Sequence, residues 1–181
     1  YSSAIENHNV AINFYTSDHD RARALIYRAL AVHGDSPESS ISVRSDFYKA
    51  IELLIEIKDT EALARTCFLR ACAASPEKLG LQQVIRDFTS VLEWPNVPLA
   101  MQLYSEMSLF QLQKQNVSDK TSQEKEEDLK IKLAKLESQP QKTMEEQCIL
   151  ALVATKLSQF SIAASAINAI ESLGVLPSPL K

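Results

Sequence analysis

The chain has 181 residues, 45% hydrophobic and 23% charged, with a formal net charge of −4, a balance that gives no global attraction to nucleic acid or to an anionic membrane. That length suits one ordinary domain or a slice of a longer protein, and it can bury roughly 70% of its unfolded surface without a disulfide or metal staple. Its three glycines, Gly34, Gly80 and Gly174, stand too far apart for a phosphate-cradling loop or a dinucleotide fingerprint, both of which need glycine at fixed offsets.

The three cysteines, Cys67, Cys72 and Cys148, form an odd, unpatterned set and read as buried free thiols in a reducing compartment. No secretory leader is visible, and no apolar run approaches the ~20 residues of a membrane span. An intracellular protein of cytoplasm or nucleus, without membrane contact, is therefore expected, and the Asn116-Val117-Ser118 sequon is read as a chance match. Beginning at Tyr1 rather than methionine, the chain is read as a fragment of a larger subunit.

In chain order, apolar residues recur at helical spacing and no segment alternates like a strand. A first helix is predicted over Ser3–Tyr15, with Ile5, Val10, Ala11 and Phe14, then a turn in which Asp18 or Asp20 caps the next helix. A second helix covers Arg21–His33 and stops at Gly34. A third runs from Ser42 to Lys58 with Phe47, Ile51, Leu54 and Ile55. Thr60 caps a fourth, closed by Ser75-Pro76. A fifth spans Leu81–Trp94 before Pro95, and a sixth runs from Pro98 to Gln115.

Residues 116–141 differ in kind, being rich in Lys, Glu, Gln and Ser. Leu129, Leu133 and Leu136 make a narrow stripe, and Glu126–Lys130 and Asp128–Lys132 are favourable i,i+4 pairs. The expected organisation is thus helical repeats over 1–115, a charged helical insertion over 116–141, a helix pair over 142–176 and a tail over 177–181. The last pair is predicted over Met144–Gln159 and Ser161–Leu173.

The most informative pattern is a trio of a small residue, a large apolar residue four later and a small one three after that, with a proline five further on. Ala64, Phe68, Ala71 and Pro76 fit it in full, and the preceding helix supplies Tyr48, Ile51 and Ile55. Ala22, Ile26 and Ala29 repeat the trio with Gly34 in place of proline; Ala100, Tyr104 and Met107 repeat it in part, as do Ala163, Ile167 and Ile170. The leading alanines fall 42, 36 and 63 residues apart, where a regular array keeps about 34.

With that pattern the segment from Ser45 to Lys78 resembles a tetratricopeptide repeat, and the chain resembles a degenerate array of them. The resemblance implies an all-α fold of about eight or nine helices, paired antiparallel and stacked as a right-handed α-solenoid. It also implies a partner groove lined by Asp46, Lys49, Leu53 and Glu56. Some repeats of this family clamp a terminal carboxylate with a lysine and an asparagine four residues later. Here Lys49 holds the first position but the aliphatic Leu53 holds the second, so that clamp is not expected.

Arg23 and Arg28 stand one and six residues past Ala22, and Arg65 and Arg70 stand one and six past Ala64. Equivalent arginines in two units could form a basic ridge for an acidic partner or for phosphates, although Glu61–Arg65 offers local pairing. Met101 and Glu106 break the pattern in the next unit. His8, His19 and His33 lack ligand spacing, and no Ser, Cys or His sits in a recognisable nucleophile setting. Asp18/Asp20 and Glu145/Glu146 read as first-turn residues favoured by the helix dipole.

No enzyme activity, cofactor or metal is therefore expected. The leading reading is a protein–protein interaction scaffold within a multi-subunit complex. Two alternatives stay open, an RNA-binding helical repeat using the paired arginines and a regulatory segment of a larger enzyme.

Overall fold

The computed structural model describes residues 2–35, 40–73, 80–113 and 119–172, and their regular structure is all helical. Helices α1 (Ser2–Phe14), α2 (Asp18–Asp35), α3 (Ser40–Glu56), α4 (Thr60–Ala73) and α5 (Leu81–Glu93) fall in one compact unit, Tyr1–Pro95. A second unit, Asn96–Lys181, holds α6 (Leu99–Gln113), α7 (Asp119–Glu137), α8 (Met144–Lys156) and α9 (Phe160–Ser172).

Local chemistry sets the helix ends. α2 starts at Asp18 rather than Arg21, because the Ser17 carbonyl already accepts the Arg21 N–H at 3.0 Å. Asp18 and Asp20 then sit in its first turn, where the helix dipole favours acids. The expected stop at Gly34 does not occur; Gly34 stays out of the left-handed region and the helix runs to Asp35. Asp59, not Thr60, caps α4, its Oδ1 accepting the Ala62 N–H at 2.9 Å. α8 opens with a reciprocal capping box, in which the Thr143 hydroxyl accepts from the Glu146 N–H and the Glu146 carboxylate accepts from the Thr143 N–H. Gly80, at φ +90, precedes α5 in a conformation that disfavours a side chain.

Two connectors have the same construction. Between α3 and α4, Lys58 takes φ 58, its N–H bonds to the Ile55 carbonyl at 3.1 Å, and the Asp59 N–H bonds to the Leu54 carbonyl at 3.0 Å. Between α8 and α9, Ser158 takes φ 58, with Ser158 N–H to Thr155 at 3.2 Å and Gln159 N–H to Ala154 at 2.8 Å. Both are helix ends closed by paired 6→1 and 5→2 bonds around a left-handed residue, here without glycine. The residues of one turn match those of the other at an offset of 100.

In the first unit Ala22 and Ala29 of α2 and Ala50 of α3 are fully buried and let the helices approach closely, while Leu25, Ile26, Phe47 and Leu54 fill the space between. Ala64, Phe68 and Ala71 of α4 are buried as well, and Phe68 meets Phe88 of α5 edge-on at 6.4 Å. In the second unit the buried residues include Leu103, Met107 and Phe110 of α6, Leu150, Val153 and Ala154 of α8, Ala163, Ala166 and Ile170 of α9, and a contribution from α7.

That contribution comes from the narrow leucine stripe expected in the charged segment 116–141. Leu129, Leu133 and Leu136 are 1%, 0% and 0% exposed, and α7 packs on both α6 and α8. A stripe three leucines wide suffices because the charged residues occupy the outer face, where Glu126–Lys130 at 3.1 Å and Asp128–Lys132 at 3.0 Å form as spaced.

Other expected packing residues divide. Ala100 and Ala163 are buried, but Leu103 is fully buried where Tyr104 is only half-buried. Tyr48 and Ile51 are half-buried, and Ile55 is 57% exposed, turned to the groove described below rather than into a helix interface. Pro76 lies outside the described residues. Among the described residues no helix is long and apolar enough to cross a membrane.

Candidate functional site

The site is built by three successive helices and the ion pair that joins two of them. Arg70 of α4 donates from Nε to Asp87 Oδ2 at 2.8 Å and from Nη2 to Asp87 Oδ1 at 2.6 Å, a bidentate fork across the α4–α5 interface. Gln83 Nε2, one turn earlier on α5, donates to the same carboxylate at 2.9 Å. Both charged side chains are buried, 5% and 3% exposed. Burial acts to lower the Arg70 pKa, but the hydrogen bond and charge of Asp87 outweigh it, so the net shift is upward. The remaining nitrogen, Nη1, has no hydrogen-bond partner; the guanidinium lies over the Tyr48 ring of α3, 4.8 Å from its centroid.

Beside this pair α3, α4 and α5 enclose a groove of about 650 Å³. Ile51 and Ile55 come from α3, Ala64 and Cys67 from α4, and Trp94 closes the end of α5. Ile55 is exposed and Trp94 half-exposed, so the wall is apolar yet open to solvent. Trp94 is further held by the Arg65 guanidinium, 5.9 Å from its ring. The Arg70 and Asp87 charges cancel within the wall, leaving Arg86 and Glu93 among the lining charges. Burial, joined by the Asp87 charge and opposed by that of Arg70, pushes the Cys67 thiol up to about 11. Cys67 is therefore a neutral thiol near pH 7 and no nucleophile.

The four groove residues expected from the sequence are not gathered there. Asp46 is 4% exposed and engaged by Arg28, with Nε to Oδ2 at 2.7 Å and Nη2 to Oδ1 at 2.5 Å. Leu53 is half-buried against the α2–α3 core, while Lys49 and Glu56 are exposed. The groove uses the neighbouring stripe of α3 instead, which carries Ile51 and Ile55.

The basic ridge also separates. Arg28 pairs with Asp46 and reaches Asn9 of α1 at 2.8 Å, and Arg70 is interior. Only Arg23 and Arg65 remain toward solvent, beside a depression of about 410 Å³ that also presents Asp59 and Glu61. His19 joins them there, with Nε2 3.4 Å from Asp59 Oδ2. Among the described residues no group of three or more His, Cys, Asp or Glu gathers as a metal site.

What the sequence reading missed is that the position six past the small residue recurs as an inter-helix ion pair. Arg28 meets Asp46, Arg70 meets Asp87, and Glu106, six past Ala100, meets Lys132 of α7 at 2.6 Å. Glu106 thus keeps the device with inverted sign. Gln102 donates to Glu106 at 2.9 Å from one turn earlier, as Gln83 does to Asp87. The available signal was an opposite charge seventeen or eighteen residues after each arginine, a spacing too long for a helical-pair rule.

No protein-family model, curated protein or solved structure matches the chain.

Proposed function

We propose that this chain is a non-catalytic interaction scaffold, part of an intracellular complex, whose α3–α4–α5 groove holds a segment of a protein partner. The observation that carries the proposal is the groove itself, where the exposed Ile55 and the half-exposed Trp94 flank a space of about 650 Å³. Sites of a few hundred cubic ångströms with an aromatic anchor and few polar groups suit a large apolar side chain of a partner. The wall charges neutralise each other, so the partner is selected by apolar fit rather than by net charge.

The small-residue trios, the recurring ion pairs and the duplicated turn support a repeat array of the tetratricopeptide kind, stacked as a solenoid of antiparallel pairs. The RNA-binding alternative loses support, since two of its four arginines are paired with buried aspartates and the others stand beside Asp59 and Glu61.

The test places a photo-cross-linking amino acid, p-benzoylphenylalanine, at residue 55 in cells, with Glu127 on the exposed face of α7 as the control position. The expected result is a discrete protein adduct from residue 55 and none from residue 127. Equal adducts from both, or none from 55, would overturn the proposal.

A further inference from the structure

Resting on the proposed scaffold function, we infer that the partner segment held in the α3–α4–α5 groove is an amphipathic helix with an acid opposite Arg86 and a base opposite Glu93. Arg86 and Glu93 then set which partner helices the groove accepts.

The groove is a trough with unlike walls. α3 and α5 each pack on α4, whose small Ala64 and Cys67 line the space beside them. On α3 the wall is aliphatic, with Ile51 and Ile55 one turn apart. On α5 it is polar. Arg86, Ser90 and Glu93 are all exposed and fall at i, i+4 and i+7, on one stripe of the helix. Two contacts give the trough its direction. At one end Arg70 reaches both Tyr48 and Asp87, the neighbour of Arg86. At the other, Arg65 lies over Trp94, the neighbour of Glu93. Arg86 and Glu93 are seven residues apart, so their stripe extends about 10 Å along the trough.

The charges of the rim are free where those beneath it are not. Arg70 and Asp87 are paired with each other. Among the described residues, Arg86 and Glu93 take part in no side-chain hydrogen bond or ion pair. Every other charge on the lining belongs to the Arg70–Asp87 fork. The trough is therefore positive at the fork end, neutral at Ser90 and negative at the Trp94 end. Its net charge is zero, and the order of the charges is what a partner meets.

The spacing selects a helix. Side chains on both walls recur once per turn, and a helix laid along the trough presents its own at the same interval. Two of its residues seven apart stand about 10 Å apart on one face, matching Arg86 and Glu93. An extended segment puts same-face side chains about 7 or 13 Å apart, matching neither. The apolar stripe of such a helix packs on Ile51, Ile55 and Trp94, while its acid and base stand beside the α5 rim. Complementary charges at a rim contribute little affinity singly and act mainly on selectivity.

The probes are two fluorescein-labelled, hydrocarbon-stapled helical peptides with the same leucine stripe. One carries Glu and Lys seven positions apart beside that stripe, and the other carries Gln at both places. Each is titrated by anisotropy against the whole chain and against the double variant Arg86→Gln/Glu93→Gln. The parent should bind the charged peptide about tenfold tighter than the neutral one, and the double variant should bind the two alike. Both substitutions fall at exposed sites, and circular dichroism of the double variant should match the parent. Equal binding of the two peptides by the parent, a preference that survives in the double variant, or no binding at all overturns the inference. Ile55→Glu separates it from the groove itself. If the parent binds both peptides alike and Ile55→Glu abolishes both, the groove stands and the charge order falls; if Ile55→Glu changes neither, the groove falls as well. A parent that self-associates in sedimentation and becomes monomeric on Ile55→Glu would make a second copy the occupant and would also overturn the inference.

Discussion

The Arg70–Asp87 pair of the first unit and the Glu106–Lys132 pair of the second occupy the same place, six residues past a buried alanine and across to a neighbouring helix. They differ in burial. Arg70 and Asp87 are 5% and 3% exposed, whereas Lys132 and Glu106 are 26% and 20%. Lys132 also shares Asp128 at 3.0 Å, while Asp87 depends on Arg70 and Gln83. Burial lowers the Lys132 pKa less than its two carboxylates raise it, so Lys132 stays charged near neutrality. One device thus serves as a buried clamp under the groove and as a half-wet brace in the other unit.

The largest expected effect comes from breaking the buried clamp. Asp87→Ala leaves the Arg70 charge uncompensated and should cost about 3–5 kcal/mol, against about 1 kcal/mol or less for Glu106→Ala, whose partner keeps Asp128 and water. Urea unfolding of the two variants separates them, and equal losses would show that burial does not distinguish the pairs.

Small residues give the next contrast. Ala29→Leu adds methylenes at a fully buried helix contact and should cost about 1–3 kcal/mol. Ala164→Leu, on the exposed stripe of α9, should stay within about 0.5 kcal/mol of the parent. Thermal melts decide, and a neutral Ala29→Leu would mean that α2 and α3 are not in close approach.

Burial of Cys67 beside the clamp also predicts a pH response. With the thiol of Cys67 raised from 9.0 to about 11, folded protein holds its proton where unfolded chain has lost it. The contribution is complete below about pH 9 and falls as pH rises toward 11, by up to roughly 2–3 kcal/mol. Cys67→Ala should flatten the alkaline loss of stability, whereas Cys148→Ala, at an exposed site, should leave the slope unchanged.

The smallest expected effect tests the duplicated turn. Lys58→Gly and Ser158→Gly each relieve a left-handed residue and should each stabilise by up to about 1 kcal/mol. A gain at one and a loss at the other would show that the two turns are not equivalent.

Much of the helical framework was legible in the sequence, because a 3.6-residue apolar period and alanines at close helix contacts are local signals. Ala22, Ala29, Ala64 and Ala71 stood out for that reason and are buried. The misread ends have local causes as well. Gly34 resembles a stop but is tolerated inside α2, and Thr60 looks like the cap of α4 where Asp59 supplies it. The groove was displaced by one stripe of α3, since Asp46 looks like a surface acid until Arg28 from another helix is placed against it. Tertiary pairing has no fixed sequence period, 17 residues for Arg70–Asp87 and 26 for Glu106–Lys132, so no helical-spacing rule reads it. In α7 the three-leucine stripe was legible, but the charge around it made it look too narrow to be core.

The central claim is that the buried clamp holds α4 and α5 in the arrangement that opens the partner groove. The most direct test measures adduct yield from p-benzoylphenylalanine at residue 55 in three backgrounds, the parent, Asp87→Ala and Glu106→Ala. The account predicts that Asp87→Ala abolishes the adduct and Glu106→Ala leaves it at the parent's level. Retention of the adduct in Asp87→Ala, or its equal loss in Glu106→Ala, would contradict it.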